Sequence, residues 1–231
     1  MITKEKEKIY VPIPPGIDEN EIIIMKGKGN YKNETLKGDV KIFIKIKNNS
    51  ELEREGLYWR PYQNESTEFA FTRFLVPYLS MYQGCALFCD SDFMWKCDPQ
   101  EIVEVTGTDH PVYCVKHPQF LIPDIKMNNK LNLAYPKKYW SSLMWFNNID
   151  CQTLNLEFVN HAPAGALHEM EWAESVGDIP AEYNAMVNYY DFKSPKAVHF
   201  TDGGPWHNIH DNILYSNEWK QIYKKLQKEK D

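Results

Sequence analysis

All seven tryptophans and all five cysteines of this 231-residue chain lie beyond residue 58. A core built around large rings therefore belongs to the later part, and the first quarter must fold on short aliphatic runs. Charge divides at the same place. Residues 1–56 carry 11 Lys or Arg against 10 Asp or Glu, whereas the remainder carries 15 against 22. The whole chain stands at −6. That sign opposes binding by phosphate neutralisation, so nucleic acid is not an expected partner.

The cysteines are Cys85, Cys89, Cys97, Cys114 and Cys151. None forms a C-x-x-C pair, so a zinc knuckle is not expected. Their odd number and irregular spacing suit reduced thiols in a cytoplasmic setting. The charged start, Met1 to Lys8, has no apolar stretch of the signal-peptide kind. No apolar run approaches the ~18 residues that a membrane span needs.

In the first part, Ile9 to Ile13 alternates and then meets Pro14-Pro15-Gly16, a strand entering a turn. Glu21 to Met25 reads as a second strand, and Asp39 to Lys47, alternating apolar and basic, as a third. No helix is expected there. Lys26-Gly27-Lys28-Gly29 lacks the G-x-x-x-x-G-K-[ST] order of a phosphate loop and reads as a β-turn. The ordered set Val11 to Gly16, Met25 to Gly29 and Gly38-Asp39 resembles the substrate-binding C-terminal β-domain of J-protein (Hsp40) chaperones, over about residues 8–56. This resemblance implies a small β-domain able to bind unfolded peptide by strand addition. The His-Pro-Asp signature of a J-domain is absent from the sequence, so stimulation of a chaperone ATPase is not implied.

From Tyr58 the texture becomes α/β. Thr67 to Tyr82 has helical apolar spacing, with Ser66 or Thr67 as its cap and Pro77 as a kink. Cys85-Ala-Leu-Phe-Cys89 is uncharged, the pattern of a strand buried on both faces. It ends in Asp90-Ser91-Asp92. Carboxylates at the carboxyl end of such a strand stand where open α/β sheets bind ligands, and paired oxygens suit Mg²⁺ or Mn²⁺. Ala197 to Phe200 reads as a second apolar strand, with His199 as a third ligand. Gly203 and Gly204 then allow close backbone approach, and Trp206 offers a ring for stacking. His117, His207 and His210 read as surface residues. Trp219 to Asp231 reads as a terminal helix docked on the surface, its lysines outward.

The order of Arg73 to Tyr78, Asp90-Ser-Asp92, Trp140 to Asn147, Leu167 to Trp172, Ile179 to Asn184 and His199 to Trp206 resembles the A-type glycosyltransferases related to family 8, over about residues 58–219. The resemblance implies a metal-dependent transferase of hexosyltransferase type. Its donor would be a nucleotide-diphosphate sugar and its acceptor a carbohydrate or protein. By that likeness Asp90, Asp92 and His199 would hold Mn²⁺ (or Mg²⁺). Arg73, Ser141, Ser142, Asn147, Gly203, Gly204 and Trp206 would meet the donor, and Leu167 to Trp172 would line the acceptor side. Glu169, Glu171 and Asp202 are the carboxylates that could act as base or stabilise positive charge.

The expected fold is therefore an α/β module of A-type glycosyltransferase kind, incomplete or compact, at 57–231. It follows a small all-β unit at 1–56, which stands where the A-type fold normally places its base-binding β-α-β unit. The rival expectation is a non-catalytic binding protein, pairing a chaperone-like peptide-binding unit with a degenerate transferase module.

Overall fold

The computed structural model describes residues 22–28, 37–43, 49–60, 70–119, 136–206 and 212–228. The chain divides into two compact units, Met1–Glu51 and Leu52–Asp231.

In the first unit β1 (Ile22–Met25) pairs antiparallel with β2 (Val40–Phe43), Ile22 opposite Phe43 and Met25 opposite Val40. Gly27 takes φ +66° in the turn after β1, and its N–H donates to the Asp39 carboxylate at 2.9 Å. A left-handed backbone at that point is what glycine tolerates at no steric cost, so the Gly-Lys run is a turn. The strand at Ile9 to Ile13 lies outside the described residues. The expectation of no helix before residue 56 was wrong, because α1 spans Asn49–Arg54. Its signals are local. Asn49 and Ser50 are helix-starting residue types, Glu51 and Glu53 follow, and Gly56 at φ +70° stops the chain.

In the second unit the predicted long helix is two short pieces within the described residues. A 3₁₀ turn at Thr72–Leu75 leads into α2 (Val76–Leu79), with Pro77 in its first turn. Proline lacks the N–H that a helix interior needs, and here it sits in the opening turn, one residue after Val76, where that N–H has no helical partner to lose. The expected cap at Ser66 or Thr67 lies outside the described residues. Next come β3 (Cys85–Cys89), β4 (Phe93–Trp95), α3 (Ile102–Val105), β5 (Val112–Cys114) and β6 (Leu143–Asn147). The helices α4 (Leu156–His161) and α5 (Ala164–His168) follow, then β7 (Val176–Asp178), β8 (Ala185–Met186), β9 (Ala197–His199) and α6 (Ser216–Lys228).

Two mixed sheets result, ordered β3-β6-β5-β7 and β4-β9-β8. The pairs β3–β6, β5–β6 and β4–β9 are antiparallel, and β5–β7 and β8–β9 are parallel. Strand alternation divides the core of the larger sheet in two. Val112, Cys114, Met144 and Phe146 face α2, α4 and α5 with Phe74, Leu75, Leu167 and Trp172. Tyr113, Val115 and Leu143 face the other way, onto Ile102, Ile179 and Tyr183. Both faces of β5 and β6 are covered, which is why neither strand carries a charge. The uncharged β3 was expected to be equally buried. It instead stands at one edge of the four strands, with Cys85 exposed and Ala86 to Cys89 half-buried. Phe88 packs against one core and Leu87 and Cys89 against the other, so low charge there reports two faces that are each partly covered.

A smaller core under the second sheet holds Met94, Val187, Val198 and Phe200, with Trp219 of α6 packed against it. Only Ser216 of α6 is buried, and Ile222 and Tyr223 are 41% and 49% exposed. The helix thus docks chiefly by its first turn, through Ser216 and Trp219. Among the described residues no helix is long and apolar enough to cross a membrane.

Candidate metal centre

The two sheets meet at one group of side chains. Asp90 follows β3, and its N–H extends the ladder by donating to the Ser142 carbonyl at 2.9 Å. The chain turns through Ser91 and enters β4 just after Asp92. β4 lies against β9 with Phe93 directly opposite His199, and the Phe200 N–H donates to the Asp92 carbonyl at 3.0 Å. One sheet thus delivers Asp90, and the other delivers Asp92 and His199. Ligand-capable atoms of the three residues all lie within 4.8 Å of one another.

Asp90 and His199 are held from behind. Arg73 donates to the Ser141 carbonyl at 2.8 Å and pairs with Asp90 at 2.8 Å. His199, 2% exposed, stacks on Phe93 with centroids 4.5 Å apart. Its Nδ1 lies 2.9 Å from the Asn184 amide oxygen, and its Nε2 lies 3.3 Å from Asp92 Oδ1. That carboxylate oxygen is buried and makes no hydrogen bond.

The electrostatics follow from this packing. Burial raises Asp90 above the usual carboxylate range, against the pull of Arg73 and His199. Burial also pushes Asp92 upward, but its contact with His199, its own backbone N–H and the charge of Arg73 outweigh that and hold it below the usual range. Burial pushes the neighbouring Cys89 thiol up to about 11, so it stays protonated at neutral pH. The donor set is therefore two carboxylates and an imidazole, with an orphaned, buried carboxylate oxygen among them. Hard or borderline divalent ions such as Mn²⁺ or Mg²⁺ fit such a set, and a soft thiolate site is not on offer.

The structure brings Asp90, Asp92 and His199 together, and it places the other sequence candidates differently. Arg73 is committed to Asp90 and Ser141, so it supports a ligand instead of reaching outward. The Ser141 hydroxyl meets His168 Nδ1 at 2.8 Å, and the Ser142 hydroxyl donates to the Tyr139 carbonyl at 2.6 Å. Both serines are buried and bonded to protein groups. Asn147 does not join the group. It pairs with Cys85, at the opposite end of the β3–β6 ladder from Asp90, and its amide donates to Thr108 O and Asp150.

Leu167, Met170 and Trp172 are core residues, which places half of the expected acceptor segment inside. Glu171 is exposed, and Glu169 is half-buried, its carbonyl taking Lys137 Nζ at 2.6 Å. Asp202, half-buried, interacts with Tyr189. Gly203 needs its freedom for φ +107°. The space over Gly204 is filled from within, since an added Cβ would stand 2.0 Å from the Trp206 ring. Trp206 packs on Phe200 and Trp219, at 5.7 and 5.5 Å between centroids, and stays 42% exposed.

Two residues escaped the sequence reading. His117 was expected at the surface but is 4% exposed, with Nδ1 2.9 Å from the Tyr190 hydroxyl. It follows Val112 to Val115, a run that is buried throughout, and that run was its signal. Asn184, fully buried, backs His199. A polar amide directly before the apolar Ala185-Met186-Val187 was the available sign. His207 and His210 lie outside the described residues.

Comparisons with known proteins bear on each unit. The DnaJ C terminal domain family matches residues 2–58. The apo structure of WbbM, a bifunctional glycosyltransferase, overlaps 70% of this chain and 35% of its own, at TM-score 0.44 and 16% identity. This chain thus spans about a third of that structure, a likeness too slight to argue from. Protein CDI of Arabidopsis thaliana is 37% identical over 197 residues, covering 79% of this chain and 76% of its own length. At that identity and coverage, the chain belongs to the family of Protein CDI.

Proposed function

We propose that the second unit is a metal-dependent glycosyltransferase taking its sugar from a nucleotide-diphosphate donor. The carrying observation is the Asp90, Asp92 and His199 group, with the buried, unbonded Oδ1 of Asp92 at its centre. A divalent cation bound there, Mn²⁺ or Mg²⁺, would act as a Lewis acid, neutralising charge on the departing diphosphate.

The chain's own residues supply the positioning. Arg73, 10% exposed, fixes the Asp90 carboxylate, so the ligand oxygens are set before anything binds. Phe93 and Asn184 hold the His199 ring from its face and its far edge. In the reaction the bond from the anomeric carbon to the diphosphate oxygen breaks, and the acceptor oxygen bonds to that carbon. The acceptor's proton passes to a carboxylate or to the departing diphosphate. Of the three carboxylates considered, Asp202, three residues beyond His199, is the one proposed for that role or for steadying the positive sugar carbon.

Calorimetric titration of UDP, with and without Mn²⁺, tests the reading in wild type and in Asp90→Ala/Asp92→Ala. Metal-dependent UDP binding lost in the double variant is expected. Absence of UDP binding in both proteins with Mn²⁺ present would remove the UDP-sugar reading.

A second reading applies to the first unit alone. Its match to the DnaJ C terminal domain, and Ile22 and Ile24 exposed at 48% and 51% on one face of β1, support capture of extended apolar peptide. Ile22→Lys/Ile24→Lys should abolish binding of a fluorescent apolar peptide, and unchanged binding would end this reading.

A further inference from the structure

The direction of hydrogen bonding behind His199 is set by a backbone carbonyl. Tyr139 O can only accept, and Ser142 Oγ stands 2.6 Å from it, so the seryl proton points there. Ser142 Oγ must then accept from its other neighbour, Asn184, 2.8 Å away. The Asn184 group facing Ser142 is therefore its NH₂, and its oxygen faces His199. The reverse amide orientation would demand the seryl proton for Asn184 and leave two oxygens 2.6 Å apart with no proton between them. An amide oxygen cannot donate, so the proton between Asn184 and His199 sits on His199 Nδ1. In the neutral ring Nε2 then carries the lone pair, and it looks across 3.3 Å at the unbonded Asp92 Oδ1. Two lone pairs facing at that distance repel unless a cation lies between them.

We infer that Asn184, oriented by Ser142 and the Tyr139 carbonyl, is a positioning residue that locks His199 as its Nδ1–H tautomer and keeps Nε2 open for a metal ion. The use of the lock rests on the metal reading above, but the lock itself does not. Without Asn184, the ring proton is free to move to Nε2 and donate to Asp92, closing the site with an internal hydrogen bond. Outer partners that fix ligand tautomers typically contribute about 10–100-fold in metal affinity.

The test has a metal-free arm and a metal arm. Heteronuclear NMR of the imidazole nitrogens in the metal-free protein is expected to find the His199 proton on Nδ1 in wild type. In Asn184→Leu, which keeps the volume and loses both polar ends, it is expected on Nε2. Calorimetry with Mn²⁺ alone is expected to show about 10–100-fold weaker binding for Asn184→Leu. Asn184→Asp, which still accepts from Nδ1, should bind close to wild type, as a merely structural role would not predict. If Asn184→Leu does not fold, Ser142→Ala replaces it, with a mixed tautomer expected. A wild-type proton on Nε2, or an Asn184→Asp affinity as low as that of Asn184→Leu, would overturn the inference. A wild type with Nδ1–H that takes up no Mn²⁺ would sink the metal reading and leave the lock standing.

Discussion

At the scale of single residues, burial and contact decide behaviour that residue type alone does not. Burial lowers the His117 pKa to about 3, from 6.5 in the unfolded chain. Below pH 6.5 the unfolded state takes up a proton that the folded state refuses. Stability is therefore full above that pH and falls as pH drops toward 3, by about 1.4 kcal/mol per unit. Between pH 7 and pH 5, His117→Gln should lose about 2 kcal/mol less than wild type in denaturant titrations, and equal losses would refute the assignment.

Two glycines that look alike in the sequence part company in the same way. A Cβ on Gly177 would stand 2.1 Å from the Tyr113 ring, whose residue is only 6% exposed, whereas the Trp206 ring over Gly204 can swing outward. Gly177→Ala should cost about 1–3 kcal/mol and Gly204→Ala less, as thermal melts would show. The candidate ligands were legible, because Asp90 and Asp92 flank apolar runs and His199 interrupts one. Asn184 and His117 were not, since a polar residue within a buried run carries no sign of the partner that satisfies it.

β6 buries both faces, and the sequence reading drew no strand at residues 143–147. Met144 and Phe146 of β6 point to one core and Leu143 to the other, so neighbouring positions along the strand must all be apolar. Phe146→Ala should cost about 3–5 kcal/mol, against almost nothing for Ile149→Ala at a site 61% exposed, as paired denaturation curves would check. The edge placement of β3 was hidden, because an uncharged five-residue run fits two partly covered faces at an edge as well as full burial within a sheet. Pro77 was misread for a related reason. Helical spacing ran through it, yet the missing N–H makes it a beginning for α2. The register of β4 against β9 sets the candidate site. A slip of one residue would turn His199 to the opposite face, and no pattern local to either strand announces that pairing.

At the scale of the whole molecule, a β-hairpin unit matching the DnaJ C terminal domain precedes a mixed α/β unit. In that second unit two sheets bring Asp90, Asp92 and His199 to one point. The change of composition near residue 56 told of two parts, whereas the convergence of residues 90, 92 and 199 depends on pairings across more than a hundred positions. The most direct measurement is electron paramagnetic resonance of Mn²⁺ titrated into wild type and into Asp92→Asn, which keeps the shape and removes the charge. The account predicts one bound Mn²⁺ per wild-type chain and none held by Asp92→Asn under the same conditions. Equal uptake by the two proteins, or no uptake by wild type, would contradict it.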